Sequence, residues 1–168
     1  MSGTTSFACK FRKPGLNRRS WVSSTAHTRA PEGGIAFDNL DGGKGYDPWR
    51  FYGQSKFANL LFAKELARRL AGTHRTANAV HPGVIRTNLI RHHPILNMAA
   101  AVFSPLFLKT VAQGAATQVY VATNPGLADV SGEYFANCNV ATPRADAQSA
   151  ATAKQLWEVS ELIVAGLP

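Results

Sequence analysis

"FYGQSKFANLLFAKELARRL", residues 51–70, decides how the rest of the chain is read. Phe57, Leu60, Leu61, Leu66 and Leu70 recur at helical spacing around Lys64-Glu65. Asp47-Pro48 offers an N-cap and a first helical residue, Arg68-Arg69 sit near the far end, and Gly72 follows, so the pattern predicts a helix over 48–70. Next comes "RTANAVHPG", residues 75–83, which reads as a strand stopped by Pro82-Gly83.

Working outward, the same alternation continues. "SWVSSTAH" carries the strand formers Trp21 and Val22 and predicts a short strand ending near Ser24. Between Arg29 and Asp47 lie Pro31, Gly33-Gly34, Gly42-Gly43 and Gly45, a density of turn residues that predicts a loop. Within it "DGGKGYD" lacks the G-x-x-x-x-G-K-[ST] spacing of a phosphate-binding loop, and Lys44 is followed by Gly45. Residues 98–108 are apolar and interrupted by Pro105. "KTVAQGAATQVYVATNPG" predicts a second helix stopped by Pro125-Gly126, "GEYFANCNV" a late strand, and "ADAQSAATAKQLWEVSELIV" a final amphipathic helix with Trp157 in the core. Strands alternating with helices of this length predict parallel strands joined by right-handed crossovers, hence an α/β layered fold. Residues 1–19 show no periodicity and are expected to form a poorly ordered basic lead-in, with one domain over 20–168.

Composition narrows the function classes. A chain of 168 residues with 45% hydrophobic side chains fits one globular domain. No apolar run approaches the roughly 20 residues of a membrane-spanning helix, and the N-terminus has no run resembling a secretory leader, so a cytoplasmic location is expected. Cys9 and Cys138 stand far apart with no ligand spacing around them, which predicts free thiols rather than a zinc site or a disulfide. His92-His93 are adjacent with no carboxylate at useful spacing, and no metal is expected. The net charge of +8 is concentrated at one end: six basic and no acidic side chains fall in residues 1–31, leaving a balance of +2 in the remaining 137. No basic patch interleaved with aromatics accompanies it, so nucleic acid is not expected as a partner.

The chemistry-bearing residues cluster by position. Tyr52 and Lys56 are four apart, on one face of the expected helix. A nearby ammonium favours the phenolate, which makes Tyr52 a candidate general acid or base. Alone, such a pair is common on solvated helices. Ser24, however, falls at the C-terminal end of a strand, where α/β sheets place their ligands, and could hydrogen-bond an oxygen that Tyr52 protonates. "HPGVIRTNL", residues 81–89, adds a strand ending in Pro-Gly, where bare backbone can approach a ligand, and the hydroxyl of Thr87. His81, beside Pro82, reads as a packed or hydrogen-bonded histidine.

Together "VSSTAH", the Gly-rich insertion, "YGQSKFANLLFAKELARRL" and "VHPGVIRTNL" resemble the short-chain dehydrogenase/reductase family, in its retinol-dehydrogenase-like and WW-domain-oxidoreductase-like branch. The resemblance runs from Trp21 to Leu162 and covers the C-terminal part of that fold only. It implies a partial Rossmann-like doubly wound parallel sheet of about three strands with flanking helices. It implies an NAD(P)-dependent oxidoreductase in which Tyr52 exchanges a proton with the substrate oxygen and Ser24 holds that oxygen. Lys56 would support Tyr52 and bind the nicotinamide ribose, Pro82, Gly83 and Val84 would line the nicotinamide pocket, and Thr87 would contact the carboxamide or a phosphate. NADP or NAD is the implied cofactor, and a hydrophobic alcohol or carbonyl compound the substrate, beneath a variable lid over 88–108. A homodimer through helix 48–70 is the implied assembly.

The sequence also departs from the family. It contains no TGxxxGxG turn, no residue selecting NAD or NADP, no NNAG-like stretch and no match to the family's catalytic asparagine, since Asn17 stands in another context. A truncated or misassembled chain is therefore expected, with the strand at Trp21 left as an unpaired edge. The alternative function is a non-catalytic fragment acting as a binding module through that edge or a helix face.

Overall fold

The structure, a computed structural model, describes residues 17–85 and 109–167. Its elements in chain order are β1 (Arg18–Val22), α1 (Pro48–Arg69), β2 (Thr76–His81), α2 (Val111–Thr123), β3 (Tyr134–Ala136), β4 (Asn139–Val140) and α3 (Ala150–Ala165). The sheet order is β1-β2-β3-β4. β1, β2 and β3 run parallel, with Val22 opposite Val80 and Val80 opposite Phe135, while β4 returns antiparallel to β3.

Helices cover both faces, as expected of a doubly wound α/β sheet. On one face α1 supplies Phe57, Leu60 and Leu61, all fully buried, and packs with Ala79, Tyr134, Ala153 and Leu156. Each such large apolar side chain contributes about 1.5–3 kcal/mol relative to exposure. On the other face Val80, Phe135 and Val121 of α2 form a smaller cluster. The central strand β2 is buried at every position and explains its own polar residue: Asn78 Nδ2 donates to Val130 O at 2.8 Å, and its Oδ1 accepts from Glu133 N at 3.0 Å.

The local signals in 47–83 act as read. Asp47 Oδ1 accepts the Arg50 N–H at 2.6 Å, Pro48 opens α1, and β2 ends at His81 before Pro82. Thr110 caps α2 in a reciprocal box with Gln113.

Four expectations are corrected. β1 starts at Arg18, so Arg18 and Arg19 belong to the sheet and not to a lead-in. The Arg18 guanidinium donates to the carbonyls of Asn124 (2.6 Å), Ala122 (3.3 Å) and Val121 (3.4 Å), placing a cation at the C-terminus of α2. "GEYFANCNV" is a hairpin rather than one strand. Its turn residues Asn137 and Cys138 both have positive φ (52° and 59°), as a type I′ hairpin turn requires. The last helix begins at Ala150: Ser149 accepts the Thr152 N–H as its cap, and residues 145–148 form a separate 3-10 turn. Trp157 is only half-buried, stacked on Phe62 at 4.9 Å with Arg69 over its ring at 4.3 Å. The segment 88–108, including His92-His93, and Thr87 lie outside the described residues, as does Cys9. No described helix is long and apolar enough to cross a membrane.

Candidate active site

Parallel pairing sets the C-terminal ends of β1 and β2 side by side, and Ser23 N continues the ladder to Val80 O at 2.8 Å. There the chain leaves the sheet through the serine pair. Ser23 is buried and its Oγ donates to Lys56 O on α1 at 2.8 Å. Ser24 is extended (φ −160°, ψ 158°) and caps a 3-10 turn over Thr25–Arg29. Its Oγ accepts the Ala26 N–H at 3.2 Å, and its hydroxyl hydrogen has no acceptor among the described residues.

α1 presses against this turn at Gly53, where a Cβ would lie 2.8 Å from Ala26 O, Ala30 N and the Arg29 carbonyl carbon. Asn59 Nδ2 adds a second tie, donating to Val22 O at 2.9 Å. The seam therefore joins the Ser24 turn to the helical turn that carries Tyr52 and Lys56. Tyr52 is 46% exposed, and the half-buried Lys56 holds its Nζ 5.4 Å from the centre of the Tyr52 ring. A hydroxyl donor, a phenol and an ammonium thus share one edge of the fold, which is a donor and proton-exchange set suited to a substrate oxygen.

Beside it β2 runs out into Pro82, Gly83 and Val84. Gly83 has φ +90°, and the side chain of Lys109 lies directly over its bare Cα, with Cδ 2.6 Å from where a Cβ would be. Lys109 is pinned there by its N–H to Val84 O at 2.8 Å and by Nζ donating to Asn137 Oδ1 at 2.5 Å. His81 is buried with no partner for Nδ1 among the described residues. Burial, with the charge of Lys109 adding to it, holds the His81 pKa below the usual histidine range.

Sequence reasoning found Ser24, Tyr52, Lys56 and the Pro82–Val84 backbone, and passed over Ser23, Gly53, Asn59, His27 and Arg144. The serine pair itself was the available signal for Ser23. A cleft of about 440 Å³ beside the start of α1, lined by Asp38, Lys44, Tyr46, Arg50 and Gln54 among others, contains none of Ser24, Tyr52 and Lys56.

No family model matches the chain. The chain is 47% identical over 150 residues to the chloroplastic short-chain dehydrogenase TIC 32 A of Brassica napus, a match covering 88% of this chain and 47% of that protein. It is 42% identical over 135 residues to human retinol dehydrogenase 14, covering 79% of this chain and 40% of that protein. The chain belongs to the short-chain dehydrogenase/reductase family. It spans less than half the length of those two relatives. Among solved structures, an uncharacterized protein of Mycobacterium paratuberculosis superposes with a TM-score of 0.63 at 30% identity, covering 87% of this chain and 49% of that one.

Gly83 offers the bare backbone a nicotinamide could approach closely, but the methylenes of Lys109 fill the space over it. A nicotinamide seated at Gly83 would need the Lys109 side chain moved aside. No glycine turn for the pyrophosphate occurs among the described residues.

Proposed function

We propose that this chain supplies the proton-exchanging part of an NAD- or NADP-dependent oxidoreductase site for a hydrophobic alcohol or carbonyl compound. The observation that supports the reading is the seam: Ser23 Oγ on Lys56 O, and Gly53 against the Ser24 turn, tie the segment that carries Ser24 to the helix that carries Tyr52 and Lys56. The dinucleotide supplies or accepts the hydride when bound. Tyr52 Oη gives its proton to the substrate oxygen in reduction and takes it back in oxidation. Ser24 donates its hydroxyl hydrogen to the same oxygen, because the Ala26 N–H already occupies a lone pair of its Oγ. The Lys56 ammonium offsets the charge left on the Tyr52 oxygen and binds the nicotinamide ribose. Pro82, Gly83 and Val84 seat the nicotinamide through their backbone, with Thr87 contributing a hydroxyl. A homodimer through α1 is part of the same proposal.

The test is a thermal melt of the purified protein with and without NADH and NADPH, beside Tyr52→Phe. A dinucleotide at about 100 times its Kd stabilises a folded chain by about 2.7 kcal/mol, so a saturable rise in Tm is expected with one of the two. An unshifted transition would favour the second reading, a non-catalytic module. That reading draws on β1, which has a strand partner on one side only among the described residues and leaves its other edge available for pairing.

A further inference from the structure

We propose that His27 is a positioning residue that fixes the Ser24 hydroxyl through the backbone carbonyl of Ser24; the proposal rests on the oxidoreductase reading above. His27 is 3% exposed and sits inside the turn that Ser24 caps. Its Nε2 faces the backbone N–H of Arg144 at 3.2 Å. A backbone N–H can only donate, so Nε2 carries the lone pair and Nδ1 carries the hydrogen. That hydrogen is directed at Ser24 O, 2.6 Å away, and the same carbonyl also accepts the His27 N–H at 3.0 Å.

Both lone pairs of the Ser24 carbonyl are therefore engaged by one residue. The preceding residue is fixed independently, by Ser23 Oγ on Lys56 O. Ser24 is thus held on both sides, once to α1 and once to the 144–146 segment, and its Oγ keeps the orientation in which it accepts the Ala26 N–H. Tyr134 completes the setting, meeting the imidazole edge-on with ring centroids 5.3 Å apart. Bulk alone does not require an imidazole here. A phenyl ring would fill the space and keep the Tyr134 contact, but would leave Ser24 O short of one donor and the Arg144 N–H without its acceptor.

The experiment compares wild type, His27→Phe and His27→Asn in the full chain, with three readouts. Asn places its Nδ2 donor where the histidine has Nδ1, so it restores the bond to Ser24 O without the ring. The nitrogen-15 spectrum of the wild-type histidines should show one imidazole as the Nδ1–H tautomer, missing in both variants. Amide exchange at Ala26 should accelerate in His27→Phe and stay near wild type in His27→Asn. With a hydrophobic aldehyde, kcat should fall about 10- to 100-fold in His27→Phe with the dinucleotide KM nearly unchanged, the scale on which slight misplacement of a catalytic group acts. His27→Asn should recover most of that loss. Wild-type kcat and Ala26 protection in His27→Phe would overturn the proposal, and equal damage in both variants would reduce His27 to packing. If His27→Phe does not fold, the tautomer and His27→Asn still decide. If wild type turns over no substrate, the oxidoreductase reading fails, whereas the tautomer and the Ala26 exchange still test the positioning role.

Discussion

Replacing Arg144 with Met should destabilise the fold far more than an ordinary surface substitution. The guanidinium donates to three backbone carbonyls, Ala30 O at 2.7 Å, Pro31 O at 2.8 Å and Thr28 O at 3.2 Å. It also grips Asp146 through two bonds of 2.7 and 2.6 Å and lies 4.8 Å from the centre of the Phe57 ring. Hydrogen bonds from a charged donor are worth about 1.5–3 kcal/mol each where water cannot replace them. The side chain is 23% exposed, so water reaches part of the cluster, and Asp146 at 32% can rehydrate. Counting one carbonyl as fully rehydrated and discounting the exposed ion pair leaves two such bonds, a loss of about 3–6 kcal/mol. For a chain of this length that lowers Tm by roughly 6–24 °C. Urea unfolding followed by circular dichroism measures it, with the midpoint falling and the m-value unchanged. Arg144→Lys should recover less than half, since an ammonium cannot reproduce the planar fork. A loss under about 0.5 kcal/mol for Arg144→Met, the range of an ordinary surface change, would refute the reasoning.

Two further outcomes follow from contacts elsewhere in the fold. Gly34 has φ +86° and a Cβ there would fall 2.0 Å from Phe57 Cε1, whereas Gly33 at φ +73° has open space. Gly34→Ala should therefore cost about 2–5 kcal/mol from strain plus overpacking, and Gly33→Ala only about 1–2 kcal/mol, in parallel urea titrations. Glu65, 1% exposed, binds Arg68 and Arg69 at 2.7 Å, and the Arg68 hydrogen bonds foremost hold its carboxyl below the usual glutamate range. A lowered folded pKa gives stability that is complete above the unfolded value of about 4.3 and is lost as pH falls through the folded value. Wild-type Tm should therefore drop more steeply than that of Glu65→Gln in melts taken from neutral pH down through that window. Parallel curves would sink the idea.

What could be read from the sequence was whatever is encoded within a few residues. α1 was legible because its cap, its first proline and its apolar spacing are contiguous, and β2 because Pro82-Gly83 ends it. The start of β1 was not, since "RRS" reads as polar lead-in until Arg18 is seen capping a helix more than 100 positions later. The hairpin at Asn137-Cys138 was missed because no glycine marks its two positive-φ residues. The same limit applies at the site. Tyr52 and Lys56 share a helical turn and so announce themselves, whereas His27 and Arg144 stand 117 positions apart and meet only when α1, the Ser24 turn and the 3-10 turn over Ala145–Gln148 have packed.

The most direct test of the central claim is single-turnover hydride transfer from the dinucleotide that shifts the melt to a hydrophobic aldehyde, comparing wild type with Tyr52→Phe. The account expects measurable transfer in wild type and a loss of about 100-fold or more in Tyr52→Phe at matched dinucleotide occupancy, the scale of a lost general acid. Equal rates in the two proteins would contradict it.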